Sequence, residues 1–102
     1  ISGGGANSDL FMQIFADISG TPVVRNEMSG SAALGAAICT AVAIGCYPDF
    51  ETAVKNMVKE KDEFLPNLEN HKKYKHINDK VYHKLPQLLE HTLKEIQSLE
   101  VE

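Results

Sequence analysis

The chain has 102 residues, a size that suits one small hydrophobic core, and its 10 Lys and Arg against 14 Asp and Glu give a formal net charge of −4. An acidic balance disfavours nucleic-acid binding, which needs clustered cations to neutralise phosphates. No apolar run is long enough to span a bilayer, since Gly and Ser interrupt the most apolar stretch, and the start lacks the basic and apolar regions of a signal peptide.

The first feature in chain order is a glycine-rich turn, "ISGGGANS", that precedes an amphipathic pattern. Ile1 is β-branched and stands directly before the turn, so we expect it to end a strand of a longer protein. Residues 8–19 are predicted to form a helix, because apolar residues recur there at spacings of three and four. Asn7 or Ser8 can cap the start of this helix, and Gly20 ends it.

Two further elements follow this first helix. Residues 21–26, "TPVVRN", are predicted to form a short strand, so the opening pattern is the second half of a β-α-β unit. Residues 29–45, "SGSAALGAAICTAVAIG", are predicted to form a second helix capped by Ser29 or Ser31. Its many small residues favour a buried helix that packs closely against its neighbours; alternatively, Gly35 or its neighbours lie close to a ligand.

The two cysteines, Cys39 and Cys46, fall in this second helical stretch. Seven residues of helix separate their positions by roughly 10 Å along the axis. A disulfide needs Cα atoms within about 7 Å, so the pair is predicted to stay reduced. We interpret both as buried thiols of a cytoplasmic protein.

The second half of the chain is more polar. The "YPDF" turn is predicted to begin a short helix over residues 50–59, with Asp49 as its cap. Residues 59–73 are charged and are predicted to form a linker, with three apolar anchors: Phe64, Leu65 and Leu68. One long amphipathic helix is predicted from Glu69 to about Leu99, and Pro86 should kink it or restart it as a second helix.

The glycine turn is the feature that best fits a binding site. A strand end followed by Gly3-Gly4-Gly5 and a helix start presents free N–H groups, which suit a phosphate or the edge of a nucleotide. The spacing matches neither the G-x-G-x-x-G motif nor the P-loop, so a plain tight turn remains the alternative. Asp9 is interpreted mainly as a favourable charge at the helix start.

The other titratable groups favour no catalytic site. The histidines lack the spacing of a helical zinc site, and no cysteine joins them, so we predict a solvated helix face for all four: His71, His76, His83 and His91. No arrangement of Ser, His and Asp or of Cys and His is supported as a nucleophile with its base.

Three stretches together resemble one family. "GGGANSDLFMQIFADISGTPVV", "SGSAALGAAICTAVAIGCYPDFETAV" and "FLPNLENHKKYKHINDKVYHKL" are similar, in that order, to the end of the FGGY carbohydrate kinases, which include xylulose, ribulose, glycerol and gluconate kinases. The resemblance covers residues 1 to about 89. It implies an α/β fold, namely part of the C-terminal domain of an actin-like ATPase (ribonuclease H-like), mostly helical with a short strand or two.

The resemblance also implies a role for the turn. Gly3, Gly4 and Gly5 would pass beside the α-phosphate and ribose of ATP, and Asn7 and Ser8 would lie near the adenine. The catalytic Asp and the sugar contacts would lie upstream of this chain, which supplies no metal ligand and should be inactive alone. The full-length enzyme would use ATP and Mg²⁺ to phosphorylate a sugar, with a pentulose such as ribulose or xylulose favoured.

The resemblance further divides the chain into two parts. Residues 1–65 would form the nucleotide-side part of the domain, and residues 66–102 a helical tail kinked near Pro86. We expect a cytoplasmic protein with no nucleic-acid or membrane partner, and an uncovered apolar edge would allow a homo-oligomer. The alternatives are a non-catalytic helical interaction module, in which the glycine loop is only a turn, and part of another actin-like ATPase.

Overall fold

Five α-helices and two strands form the computed structural model, which describes residues 1–99. Two 3-10 turns, Gly4–Asn7 and Tyr82–Lys84, accompany them. In chain order the elements are α1 Asp9–Ser19, β1 Val23–Asn26, α2 Ser31–Ala43, α3 Phe50–Met57, β2 Glu60–Phe64, α4 Leu68–Lys80 and α5 Leu85–Leu99. Within residues 1–99, no helix combines the length and apolarity that crossing a bilayer requires.

Local capping signals set the ends of α1 and α3. The Ser8 hydroxyl accepts a hydrogen bond from the Phe11 N–H at 3.2 Å, and Gly20 ends α1 in the left-handed conformation at φ 67°. The Asp49 carboxylate accepts from the Thr52 N–H at 2.7 Å at the start of α3. The predicted boundaries of α1 and the predicted cap of α3 are confirmed.

The two strands form an antiparallel sheet that the charge pattern did not indicate. Val23 pairs with Phe64 and Arg25 with Asp62, with a register shift after Arg25. The predicted linker over residues 59–73 is therefore wrong. Backbone groups make the ladder bonds, so a two-stranded sheet tolerates the charged side chains of β2 at exposed positions.

The chain's start also lies against β1. The amino nitrogen of Ile1 donates to the Val24 carbonyl at 2.9 Å. Of the three predicted anchors, Phe64 is half-buried, whereas Leu65 and Leu68 are exposed. Both leucines lie after the end of β2, where no sheet neighbour covers them in the described chain.

A small apolar core joins α2 to α3. Leu34, Ile38 and Ala53 form it, and Val42, Tyr47, Met57 and Val58 pack against it. The remaining faces of α2 are mostly exposed, so the prediction of a buried helix is wrong for this chain. A stripe at i, i+4 is enough to attach a helix on one side only.

Three further details in and around α2 also differ from expectation. Cys39, which directly follows the buried Ile38, is exposed. Cys46 lies beyond the end of the helix and is exposed too. Both thiols are free, as predicted, but neither is buried. Gly30, not Ser29 or Ser31, is the N-cap, and it makes no side-chain capping bond.

A buried carboxylate fastens α4 to α1. Asp17 is only 3% exposed and accepts hydrogen bonds from the Asn67 N–H at 2.7 Å, the Gln13 amide at 2.8 Å and the Asn70 amide at 3.0 Å. His71 Nδ1 lies 3.0 Å from the Asp17 carbonyl oxygen, so the predicted solvated role of this histidine is wrong. The backbone of Asn67, followed by Gln13 and Asn70, holds the pKa of Asp17 below its ordinary value.

Replacing Asp17 with Asn is expected to weaken the dependence of stability on pH. A lowered folded-state pKa means that the carboxylate stabilises the fold fully above its unfolded pKa of about 4 and loses that effect as the pH falls through the folded value. The wild-type melting temperature should therefore decrease as the pH is lowered below about 4.

The Asp17→Asn variant should melt lower than wild type near pH 7, and its further fall in acid should be smaller. Asp49, Asp62 and Asp79 also have lowered pKa values, so part of the acid sensitivity will persist. Thermal unfolding between pH 2.5 and 7 measures both effects. Identical pH profiles of the two proteins would contradict the assignment.

The predicted long C-terminal helix is divided ahead of Pro86. Val81 leaves helical geometry at φ −129° and ψ −61°, the 3-10 turn follows, and Pro86 falls in the first turn of α5, where its missing N–H is tolerated. His83 Nδ1 lies 2.9 Å from the Asn78 carbonyl, which the interruption frees. The prediction that Pro86 restarts a second helix is confirmed.

The last helix extends away from the rest of the chain. The radius of gyration is 19.9 Å, against about 13 Å for a compact domain of about 100 residues. No described residue of α4, the second 3-10 turn or α5 is buried. The apolar stripe of α5 therefore faces solvent; its members are Leu85, Leu88, Leu89, Leu93, Ile96 and Leu99.

Candidate functional site

The glycine turn has a conformation that only glycine adopts readily at its first position. Gly3 has φ 88° and ψ −174°, a region that side chains exclude. Its N–H donates to the Ser29 carbonyl at 3.1 Å, and its own carbonyl accepts from the Ala6 N–H at 3.1 Å. The turn is thereby tied to the loop before α2 as it passes into the 3-10 segment.

The outer face of the turn is open at two of its three glycines. A Cβ placed on Gly3 or Gly4 would meet no atom of the chain within 4 Å. A Cβ on Gly5 would lie 2.6 Å from the Phe11 ring, so this glycine is required by packing within the chain. Backbone at Gly3 and Gly4 is therefore accessible to a ligand, while Gly5 serves the internal fit of the turn against α1.

The two polar candidates after the turn, Asn7 and Ser8, are both exposed. The Ser8 oxygen acts as the α1 cap, and its hydroxyl hydrogen remains available as a donor. The structure thus brings all five predicted residues into one continuous exposed or half-exposed segment, Gly3 to Ser8, around the buried Ala6.

Replacing Ser8 with Ala is expected to destabilise the chain by about 1 kcal/mol, since α1 loses its N-terminal capping bond. Urea denaturation of the wild type and the variant measures this difference. Ser8→Thr is the control, because it keeps a hydroxyl at the cap and should lose less. Equal stability of Ser8→Ala and wild type would show that the capping bond contributes nothing.

A buried arginine, not predicted from the sequence, contacts the turn. Arg25 of β1 is 7% exposed, and its Nη1 donates to the Ala6 carbonyl at 2.8 Å. Its Nε donates to Asp62 Oδ1 at 2.8 Å, and its Nη2 contacts Asp62 Oδ2 and lies 2.9 Å from Asp9 Oδ1. The guanidinium carbon lies 5.2 Å from the centre of the Phe64 ring.

These contacts shift the pKa values of Arg25 and Asp62. Its hydrogen bond to Asp62 is the main reason that its pKa is raised, and the same bond holds the pKa of Asp62 below its ordinary value. Asp9, interpreted from sequence as a helix-start charge, is in the first turn of α1 and also pairs with Arg25.

Two sequence signals pointed toward this cluster. Arg25 is the lone charge in the apolar strand pattern "TPVVRN", and Asp62 stands two residues before Phe64 on the same face of its strand. The charged sequence of β2 does not indicate a strand, and only the pairing of β1 with β2 brings residues 25 and 62 together.

The remaining histidines form no metal centre in the part of the chain that the structure describes. Within residues 1–99, no three side chains of His, Cys, Asp or Glu lie close enough together to hold a metal ion. His76, His83 and His91 are exposed, as predicted.

Comparisons of the sequence with known proteins agree in their matches. Residues 1–44 match the C-terminal domain of the FGGY family of carbohydrate kinases. The chain is 56% identical over 82 residues to the uncharacterized sugar kinase YgcE of Escherichia coli (strain K12), covering 80% of this chain and 17% of that protein. It is 38% identical over 73 residues to an autoinducer-2 kinase of Enterobacter sp. (strain 638), covering 72% of this chain and 14% of that protein.

A solved structure shows the same fold. The xylulose kinase of Lactobacillus acidophilus superposes with a TM-score of 0.76 at 23% identity, over 86% of this chain and 18% of that one. The chain thus spans less than a fifth of the length of each of these three proteins. By its matched residues, its relatives and its actin-like, ribonuclease H-like fold, the chain belongs to the C-terminal region of the FGGY family of carbohydrate kinases.

Proposed function

We propose that this chain is the nucleotide-side part of a longer ATP-dependent sugar kinase, and that its glycine turn lies against ATP. The observation that carries the proposal is the turn itself: it is open at Gly3 and Gly4, while hydrogen bonds to Ser29 and Arg25 hold its backbone in place. An open, anchored backbone turn at the start of a helix suits a nucleotide phosphate and ribose. The family match over residues 1–44 includes this turn.

In the proposed arrangement the chain binds and orients the nucleotide. The Gly3–Gly5 backbone lies beside the α-phosphate and ribose, and Asn7 and Ser8 lie near the adenine. Bound MgATP supplies the phosphoryl group, whose transfer depends mainly on positioning and electrostatics. We assign the catalytic base and the sugar contacts to regions outside this chain, and no part of a Mg²⁺ site to it, so the 102 residues alone should be inactive.

We propose the same division of the chain as the sequence indicated, with residues 1–65 serving the nucleotide and residues 66–102 forming a helical tail. The Asp17 hydrogen bonds cross this division and hold the start of the tail against α1. The exposed apolar stripe of α5 favours a second role for the tail as an interaction surface, within the same kinase or between copies of it.

The sugar is proposed to be a pentulose, such as ribulose or xylulose. The xylulose kinase supports the fold, and the relatives' names include both a sugar kinase and autoinducer-2 kinases, so all of these substrate classes belong in the test. The experiment is an ADP-release assay on the full-length protein with ATP, Mg²⁺ and a panel of ketopentoses, polyols and autoinducer-2.

Release of ADP that depends on one class of substrate is the expected result of this assay. A folded protein that releases no ADP with any compound, and binds no ATP, would contradict the kinase function and favour a non-catalytic interaction module. The 102-residue chain alone serves as the negative control.

A further inference from the structure

We infer that Arg25 is the positioning residue of the glycine turn, holding it in the shape that receives ATP and neutralising the carboxylate beside it. The inference rests on the proposed nucleotide role of the turn. It concerns a side chain buried behind the turn, which would not itself touch the nucleotide.

The geometry of the guanidinium explains why arginine stands here. Nη1 reaches the Ala6 carbonyl in the middle of the turn, while Nε and Nη2 engage both oxygens of Asp62 on β2. One planar, forked group thus links the turn to the two-stranded sheet through all three of its nitrogen atoms. A lysine ammonium is a single point donor, and it would satisfy the turn or Asp62 in good geometry but not both.

The bond from Arg25 to the Ala6 carbonyl is important for the open positions Gly3 and Gly4 because Ala6 lies within the same turn. The turn is held at one end by the bond from the Gly3 N–H to the Ser29 carbonyl and at the other by the bond from the Ser8 N–H to the Gly5 carbonyl. Within it, the Ala6 N–H donates to the Gly3 carbonyl. Between those ends, Arg25 holds the carbonyl of Ala6, two residues after Gly4. Glycines resist distortion weakly, so a turn that contains three of them depends on such an anchor to keep one conformation.

The charges around the turn support the same inference. The Asp9 side chain is 78% exposed at the edge of the turn, and Arg25 Nη2 lies 2.9 Å from it. Without Arg25, Asp9 would be an unpaired negative charge at the end of the turn against which the anionic nucleotide is proposed to lie. Arg25 therefore favours nucleotide binding twice, through the shape of the turn and through the local charge.

The test compares variants of the full-length protein by steady-state kinetics and hydrogen exchange. Arg25→Lys keeps the charge and loses the fork, and Asp62→Asn, at a more accessible position, keeps the shape and loses the ion pair. Glu63→Gln is the matched control, since it removes an exposed carboxylate from the neighbouring position of β2. Melting temperatures establish that each variant is folded.

For Arg25→Lys we expect the KM for ATP to rise roughly tenfold, as one lost charge-assisted hydrogen bond would cause, with the KM for the sugar and kcat changing less than about twofold. Amides of residues 3–8 should exchange faster in this variant. Asp62→Asn should show a smaller change in the same direction, roughly threefold in the KM for ATP, and Glu63→Gln none.

Two results would overturn the inference. Unchanged exchange in residues 3–8 of Arg25→Lys would show that the turn does not depend on the guanidinium, and equal rises in the KM values for ATP and sugar would show a general loss of structure. Failure of the proposed function is distinguishable, because wild type itself would then neither bind nor use ATP, while the exchange difference between wild type and Arg25→Lys would still appear.

Discussion

Replacing Gly4 with Val in the full-length protein is expected to raise the KM for ATP at least roughly tenfold, a loss of more than about 1.4 kcal/mol of binding, while the KM for the sugar stays the same. In the free chain a Cβ at this position meets no atom within 4 Å, and Gly4 has no left-handed φ. The substitution therefore costs the fold little. A branched side chain there would occupy the space that we assign to the nucleotide.

The design separates binding from folding. Gly4→Ala is the matched control, because it adds only a methyl group at the same open position and should therefore raise the KM for ATP less. Steady-state kinetics at varied ATP and varied sugar, with melting temperatures of both variants, measure the effect. If the KM for sugar rises while the KM for ATP is unchanged, the turn faces the other substrate and our placement is wrong.

Replacing Gly20 with Ala is expected to destabilise the chain by about 2–3 kcal/mol, which lowers the melting temperature by roughly 10 °C or more. Gly20 has φ 67°, where an alanine is strained by about 1–2 kcal/mol. Its Cβ would also lie 2.7 Å from the His71 ring. The ring would have to move, and its contact with the Asp17 carbonyl at 3.0 Å would be lost.

Two comparisons isolate these causes. Gly35→Ala places a methyl group in open space on a right-handed helix and should stabilise the chain by up to about 1 kcal/mol. In a His71→Ala background, Gly20→Ala should cost less than in wild type, since only the backbone strain remains. An equal cost in both backgrounds would exclude the contact between Gly20 and His71 as a source of the effect.

The parts of the fold that were predictable from sequence depend on local signals. The α1 boundaries follow from Ser8 and Gly20, and the α3 start follows from Asp49, because caps act within one turn of their own position. The restart of the last helix follows from the fixed φ and missing N–H of Pro86.

The parts that were missed depend on distant partners. β2 is charged and resembles a linker until β1 is known to pair with it, and residues 25 and 62 meet only through that pairing. Asp17 gives no sequence sign of its burial, because two of its three hydrogen-bond donors, Asn67 and Asn70, lie about fifty residues later in the chain.

For α2 and the two cysteines, the prediction of burial is wrong, because these residues are mostly exposed. The small and apolar residues of α2 predict a buried helix, yet α2 packs on α3 through one stripe and the rest of its surface is mostly exposed. Under the proposed function these surfaces would meet the remainder of a longer kinase. Of the candidate site, the position of the turn was predictable, whereas its anchor, Arg25, was not.

A crystal structure of the full-length protein with a non-hydrolysable ATP analogue and Mg²⁺ tests the central claim most directly. The quantity to measure is the shortest distance from the analogue to the backbone of Gly3 and Gly4. We expect van der Waals contact, within about 4 Å, with Asn7 and Ser8 near the base. A nucleotide bound elsewhere, with this turn exposed to solvent, would contradict it.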